Sequence, residues 1–224
     1  PVVLCLLGVV LVAGSMSLSD IVKSQALPFL LVQPLPMFVF LAGVSAELNR
    51  TPFDVAEAES ELVAGYHTEY SGVKFALIQA AEFGGVVTAS MVVVTLFLGG
   101  WAGPLSDYLG WLWFLLKVGV IAFLFIWVRA TYPRLRIDQL LAFAWKFLLP
   151  LSLINLFATA LEVFFLRDSM GVLTTNDLWI MTGINLGLGA VCIALFGMMI
   201  REKIRPVTWE STTRTAGMTV GEVT

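Results

Sequence analysis

The sequence has little charge. Of 224 residues, 13 are Lys or Arg and 16 are Asp or Glu, 13% in all, where a soluble domain carries roughly a quarter. Hydrophobic residues make up 58%, and the mean hydropathy is +0.90. That balance excludes an ordinary soluble domain and indicates an integral membrane protein. A net charge of −3 gives no reason to expect nucleic acid as a partner. Cysteine is nearly absent. Cys5 and Cys192 are far apart and lie inside apolar runs. No Cys-x-x-Cys or Cys/His spacing exists, so neither an iron–sulfur cluster nor a zinc site is encoded. Both cysteines read as small buried apolar residues. His67 is the single histidine, weak grounds for a proton carrier or ligand. There is no nucleophile triad, phosphate loop or metal motif.

What is present is length of apolar chain. A bilayer core requires about 20 apolar residues per helix. Six runs qualify, at roughly 2–18, 28–48, 73–99, 110–129, 149–166 and 178–200. The expected fold is therefore all-α: a polytopic transmembrane helical protein with about six spans plus short interfacial helices. The helical domain covers 1–205, and a disordered polar tail covers 206–224. The piece 137–148, IDQLLAFAWKFL, is amphipathic and is expected at the interface, feeding the fifth span through Pro150. Gln33, Pro34 and Pro36 interrupt the second run, which should be kinked or start late. Small residues from Gly183 to Gly189 favour close helix packing. The chain opens on Pro1 with no basic segment before the first apolar run, unlike a signal peptide. It reads as part of a longer protein whose N-terminal portion precedes it.

The loops differ in charge by side. One side carries loops 49–72 and 130–148 and the tail, with Arg50, Arg129, Arg134, Arg136, Lys146, Arg201, Lys203, Arg205 and Arg214. The other has Lys23 and Arg167. The positive-inside rule makes the first set cytoplasmic. Trp101, Trp111, Trp113 and Trp179 then fall at the outer interface.

Seven of the sixteen acids fall between Glu47 and Glu82. Thr51-Pro52-Phe53-Asp54 resembles a helix start, with Thr51 as N-cap and Pro52 at the first position. Gly65 is a natural stop, so a short helix is expected over 52–64. Asp54, Glu57 and Glu61 share one face, and Glu59 falls among apolar side chains. Crowding of like charges and partial burial suit such groups to taking up protons near neutral pH; a solvated acidic surface helix is the plain alternative. Glu82 lies about 13 Å into the third run, at 1.5 Å per residue. An ionisable group at that depth is a functional candidate by default. Gln79 lies one turn before it. Lys117 is either a buried partner or a snorkelling residue of the fourth run. Glu162 is a weaker candidate near the outer end of the fifth. Glu47 closes the second run at a helix C-terminus, where an anion is disfavoured, and Arg50 is its expected partner. Arg129, Arg134 and Arg136 read as positive-inside flanks or as counter-charges to the acidic loop.

The stretch AELNRTPFDVAEAESELVAGYHTEYSGVKFALIQAAEF, residues 46–83, closely resembles a signature of one membrane-subunit family (the H-type subunit, also called subunit 1) of proton-pumping NADH–quinone oxidoreductase, respiratory complex I. LFIWVRATYPRLRIDQLLAFAWKFLLPLSLIN, residues 124–155, is similar to that family's later signature. The likeness covers about residues 1–165. It implies a membrane subunit without a redox cofactor of its own, in the cell inner membrane, with flavin and iron–sulfur clusters on partner subunits and quinone as the substrate of the complex. The implied partners are the peripheral-arm subunits of the quinone site and antiporter-like membrane subunits. Arg50, Asp54, Glu57, Glu59 and Glu61 match loop residues near the quinone chamber. Glu47, Glu69 and Glu82 match carboxylates of the proton path, and Arg129, Arg134 and Arg136 match the basic loop at the arm interface. Ile78 and Gln79 depart from the pattern, standing where more aromatic, apolar residues are expected. Two alternatives remain: an equivalent subunit of an energy-converting hydrogenase or related dehydrogenase, and a stand-alone transporter with Glu82 at its centre.

Overall fold

The computed structural model describes residues 1–48, 50, 53, 72–133, 137–166 and 175–203. Among them every regular element is helical. Residues 1–186 form one compact unit and 187–224 a second.

The first apolar run is broken. Helix α1, Val2–Ala13, stops at Gly14, whose left-handed backbone (φ 70°) lets its N–H close on Val10 O at 2.8 Å. Helix α2, Leu18–Ser24, starts after Ser17 and lies 58° from α1. Residues 2–18 are thus not one straight span, because a glycine cap ends the helix inside the run. The second run is broken where the prolines require it. Helix α3, Phe29–Val32, ends at Gln33 (φ −131°, ψ 66°), and α4, Pro34–Glu47, restarts with proline at its first position.

The third and fourth runs form uninterrupted helices, α5 over Val73–Phe97 and α6 over Ser106–Thr131. The interfacial piece is not separate from the fifth run. Helix α7, Ile137–Phe143, passes through a π-helical turn, Ala144–Leu148, straight into α8, Leu149–Leu166. Leu149 N–H reaches back to Ala144 O. The widened turn sits just before Pro150, whose ring would otherwise meet the carbonyl of Lys146. Gln139–Leu166 is consequently one 28-residue apolar stretch. Helix α9, Thr175–Lys203, covers the sixth run.

Three described helical stretches are long and apolar enough to cross a membrane, and the bent α1–α2 pair would make a fourth. The protein is a helical membrane protein. Within the first unit α1 packs on α8 and α4, α5 on α6, and α4 on both α5 and α8. Phe40 of α4 meets Phe97 of α5 with ring centroids 5.7 Å apart in the buried core. The other side of α6 shows Val120, Phe123, Ile126 and Trp127, an apolar surface suited to lipid.

Candidate functional site

The chain leaves α4 and at once folds back. Leu48 N–H bonds to Val44 O (2.9 Å), an ordinary helical step, but Arg50 N–H reaches Ser45 O (3.1 Å). Phe53 N–H then closes on Arg50 O at 2.9 Å. This hook turns Arg50 inward, leaving it only 6% exposed. Its Nη2 lies 3.7 Å from Glu82 Oε2, and its Cζ stands 4.8 Å from the centre of the Phe83 ring.

Glu82 is held by α5, and the approach of α4 depends on a glycine. A Cβ on Gly85, on the same side of α5 as Glu82, would come within 2.8 Å of Leu48 Cδ2. The bare backbone lets the end of α4 close on α5 and sets Arg50 beside the carboxylate. Phe53 anchors the far side of the hook. It stacks on Phe143 (5.9 Å, 19°), which stacks in turn on Phe147 (5.3 Å). One short segment thereby joins α5 to the helix ahead of the π turn. The guanidinium and the carboxylate are both largely withdrawn from solvent, with side chains 8% and 17% exposed, so each stabilises the charge of the other.

Of the expected site residues, Arg50 and Glu82 are brought together. Glu47 is not with them. It is exposed at the end of α4, and Arg50 pairs with Glu82 in its place. The reason is the hook: the helix ends before Arg50, so the one-turn spacing from Glu47 no longer puts them side by side. Gln79 is half-buried one turn before Glu82. Arg129 is exposed in the last turn of α6, where a cation complements the helix dipole. Asp54, Glu57, Glu59, Glu61, His67, Glu69, Arg134 and Arg136 lie outside the described residues, as does the expected helix over 52–64 apart from Phe53.

Lys117 binds the chain itself. Its Nζ donates to Leu98 O (2.8 Å), Gly100 O (3.1 Å) and Ala102 O (2.7 Å). Gln25 Nε2 donates to Thr95 O and Leu96 O. Together they satisfy carbonyls at the end of α5 (Thr95, Leu96 and Leu98) and in the turn that follows it (Gly100 and Ala102). No motif announces this role. The sequence clue is a lysine seven residues into an apolar run that follows the Gly99–Gly100 turn.

The profile of the NADH dehydrogenase family matches residues 1–160. The chain belongs to that family. Its relatives include the H-type subunit of NADH-quinone oxidoreductase from Dehalococcoides mccartyi, 54% identical over 185 residues, which cover 82% of this chain and 52% of the relative. The proteins of the same name from Geobacillus kaustophilus (53% over 165 residues, 71% and 49%) and Carboxydothermus hydrogenoformans (47% over 170 residues, 75% and 49%) are similar. The chain spans about half the length of the curated relatives it matches. The family match takes in the whole hook and Glu82.

Proposed function

We propose that this chain is part of the membrane subunit of a proton-translocating NADH:quinone oxidoreductase, and that it helps to form the quinone chamber and the carboxylate path leading from it. The observation that carries the reading is the Arg50–Glu82 pair. It joins the acid-rich segment to a carboxylate on a long apolar helix. Arg50, Asp54, Glu57, Glu59 and Glu61 belong to the chamber loop. Glu47, Glu69 and Glu82 pass protons onward. Arg129, Arg134 and Arg136 face the peripheral-arm subunits. The loop and C-terminus lie on the cytoplasmic side, quinone is the substrate of the complex, and flavin and iron–sulfur clusters are carried by partner subunits. The membrane neighbours are antiporter-like subunits.

Glu82→Gln in the full-length protein, assembled in its complex, tests the reading. Proton translocation driven by NADH is expected to fall about tenfold, a change of about 1.4 kcal/mol in the barrier. Normal pumping with normal NADH–quinone turnover would remove Glu82 from the path.

A further inference from the structure

Val32 and Gln33, at the N-terminal end of α4, belong to a second set of polar groups. Arg50 lies past the opposite end, about 21 Å away along a helix of 14 residues at 1.5 Å each. Ser152, Asn155, Thr159 and Glu162 are all buried on α8, and their spacing of three and four residues gives them one face. Asn185 of α9 is fully buried and donates its amide to Glu162 Oε2 and to Val32 O, 3.0 Å each. Two acceptors against one nitrogen fix the orientation of that amide. Gln33 Nε2 reaches Gly8 O at 3.5 Å. A Cβ on Gly8 would stand 4.0 Å from both Gln33 Oε1 and Asn155 Nδ2. The break between α3 and α4 thus meets α1, α8 and α9.

The imbalance in this cluster is one-sided. Glu162 Oε1, Asn185 Oδ1, Gln33 Oε1 and Asn155 Oδ1 are buried and take no hydrogen bond from the described residues. All four are acceptors. Among the described residues no cation pairs with Glu162, and its Oε1 is without a hydrogen bond. Among residues whose side chains are described, the ionisable groups on the packed elements are Cys5 of α1, Glu47 at the far end of α4, and Asp177 and Cys192 of α9, with Asp177 about two turns before Asn185; none of these is a cation. The cations of α9, Arg201 and Lys203, come more than four turns after Asn185 along the helix. Lys146 lies more than four turns back, in the π turn.

We propose that Glu162 is a proton-binding carboxylate inside the membrane, in a site completed by Asn185, Gln33 and Asn155. A proton on Oε1 removes a charge that the apolar surroundings disfavour. It also turns that oxygen from acceptor to donor, which is what the cluster lacks. Glu162 and Asn185 lie past residue 160, where the family match ends, while Gln33 and Asn155 lie within it, so the site joins residues of the matched part to two beyond it. It does not depend on the quinone reading.

The test is infrared difference spectroscopy on the full-length protein in its complex, reconstituted in liposomes. The pH is stepped in sodium-free buffer, and sodium is then added at fixed pH. A protonated-carboxyl C=O band is expected that fades as pH rises. It is absent from Glu162→Gln and moved in frequency in Asn185→Leu, which lacks the donor to Oε2. The same band in wild type and Glu162→Gln overturns the proposal. A response to sodium without one to pH overturns it in favour of a metal cation. If Glu162→Gln fails to assemble, Glu162→Asp takes its place, and a band of unchanged frequency overturns the proposal. Glu82→Gln leaves the band in place, so failure of the path reading is seen separately.

Discussion

Lys117 lies on α6 and Glu162 on α8, each an ionisable group on a helical stretch apolar enough to cross a bilayer. Lys117 has three N–H donors and three carbonyl acceptors, so its hydrogen bonds are complete. Glu162 has one oxygen bonded and one bare, beside three further bare acceptors. A charge whose every bond goes to its own backbone is part of the scaffold. A carboxylate left short of a donor has room to change state. Position in an apolar helix does not separate the two roles; the bonding around each group does.

The comparison breaks most clearly through Lys117→Met. Three carbonyls lose their donor at once, and the protein should lose about 2 kcal/mol, since an unmet buried acceptor costs about 1–3 kcal/mol, two of these bonds are part-buried and the third, to Ala102 O, is exposed. Thermal unfolding in detergent reads this as a lowered midpoint; an unchanged midpoint would deny the lysine its capping role. Arg50 and Glu82 fall between the extremes, as a pair with contact but no short hydrogen bond between Nη2 and Oε2. A double-mutant cycle with Arg50→Met and Glu82→Gln should give a coupling of about 1 kcal/mol, and zero would show that the two charges ignore each other. The smallest effect belongs to Glu162→Gln. The amide oxygen still receives the Asn185 bond, so the unfolding midpoint should shift by less than the equivalent of about 1 kcal/mol. A large loss would place Glu162 with Lys117 as scaffold.

Much of the helical plan was legible in the residues. Runs 73–99 and 110–129 are continuous, and α5 and α6 follow them. Pro34 announced the break at Gln33, because proline restricts the residue before it. Gly14 and Ser17 carried an equally readable stop and start, hidden by the apolar residues on either side. The π turn was not legible, since a proline after an amphipathic piece reads equally well as a corner. The Glu82 candidate rested on its depth in the third run and on the resemblance, neither of which placed it beside Arg50; in the structure it stands beside that cation. The choice of Arg50 over Glu47 as neighbours depends on a backbone hook that spacing does not reveal. The Glu162 cluster was least visible. Its closest contacts join residues 32, 162 and 185, and the Asn185 bond to Val32 spans 153 positions. Only packing brings such groups together.

The π turn before Pro150 also sets an angle. It closes on a carbonyl five residues back, where an α-turn uses four. Trimming one residue from Ala144–Leu148 would return the segment to ordinary pitch and swing everything beyond it by about 100° about the helix axis. Asn155, Thr159 and Glu162 would then turn away from α1 and from the break at Gln33. The extra residue works as a fixed offset, aligning the polar stripe of α8 without altering a single side chain in it.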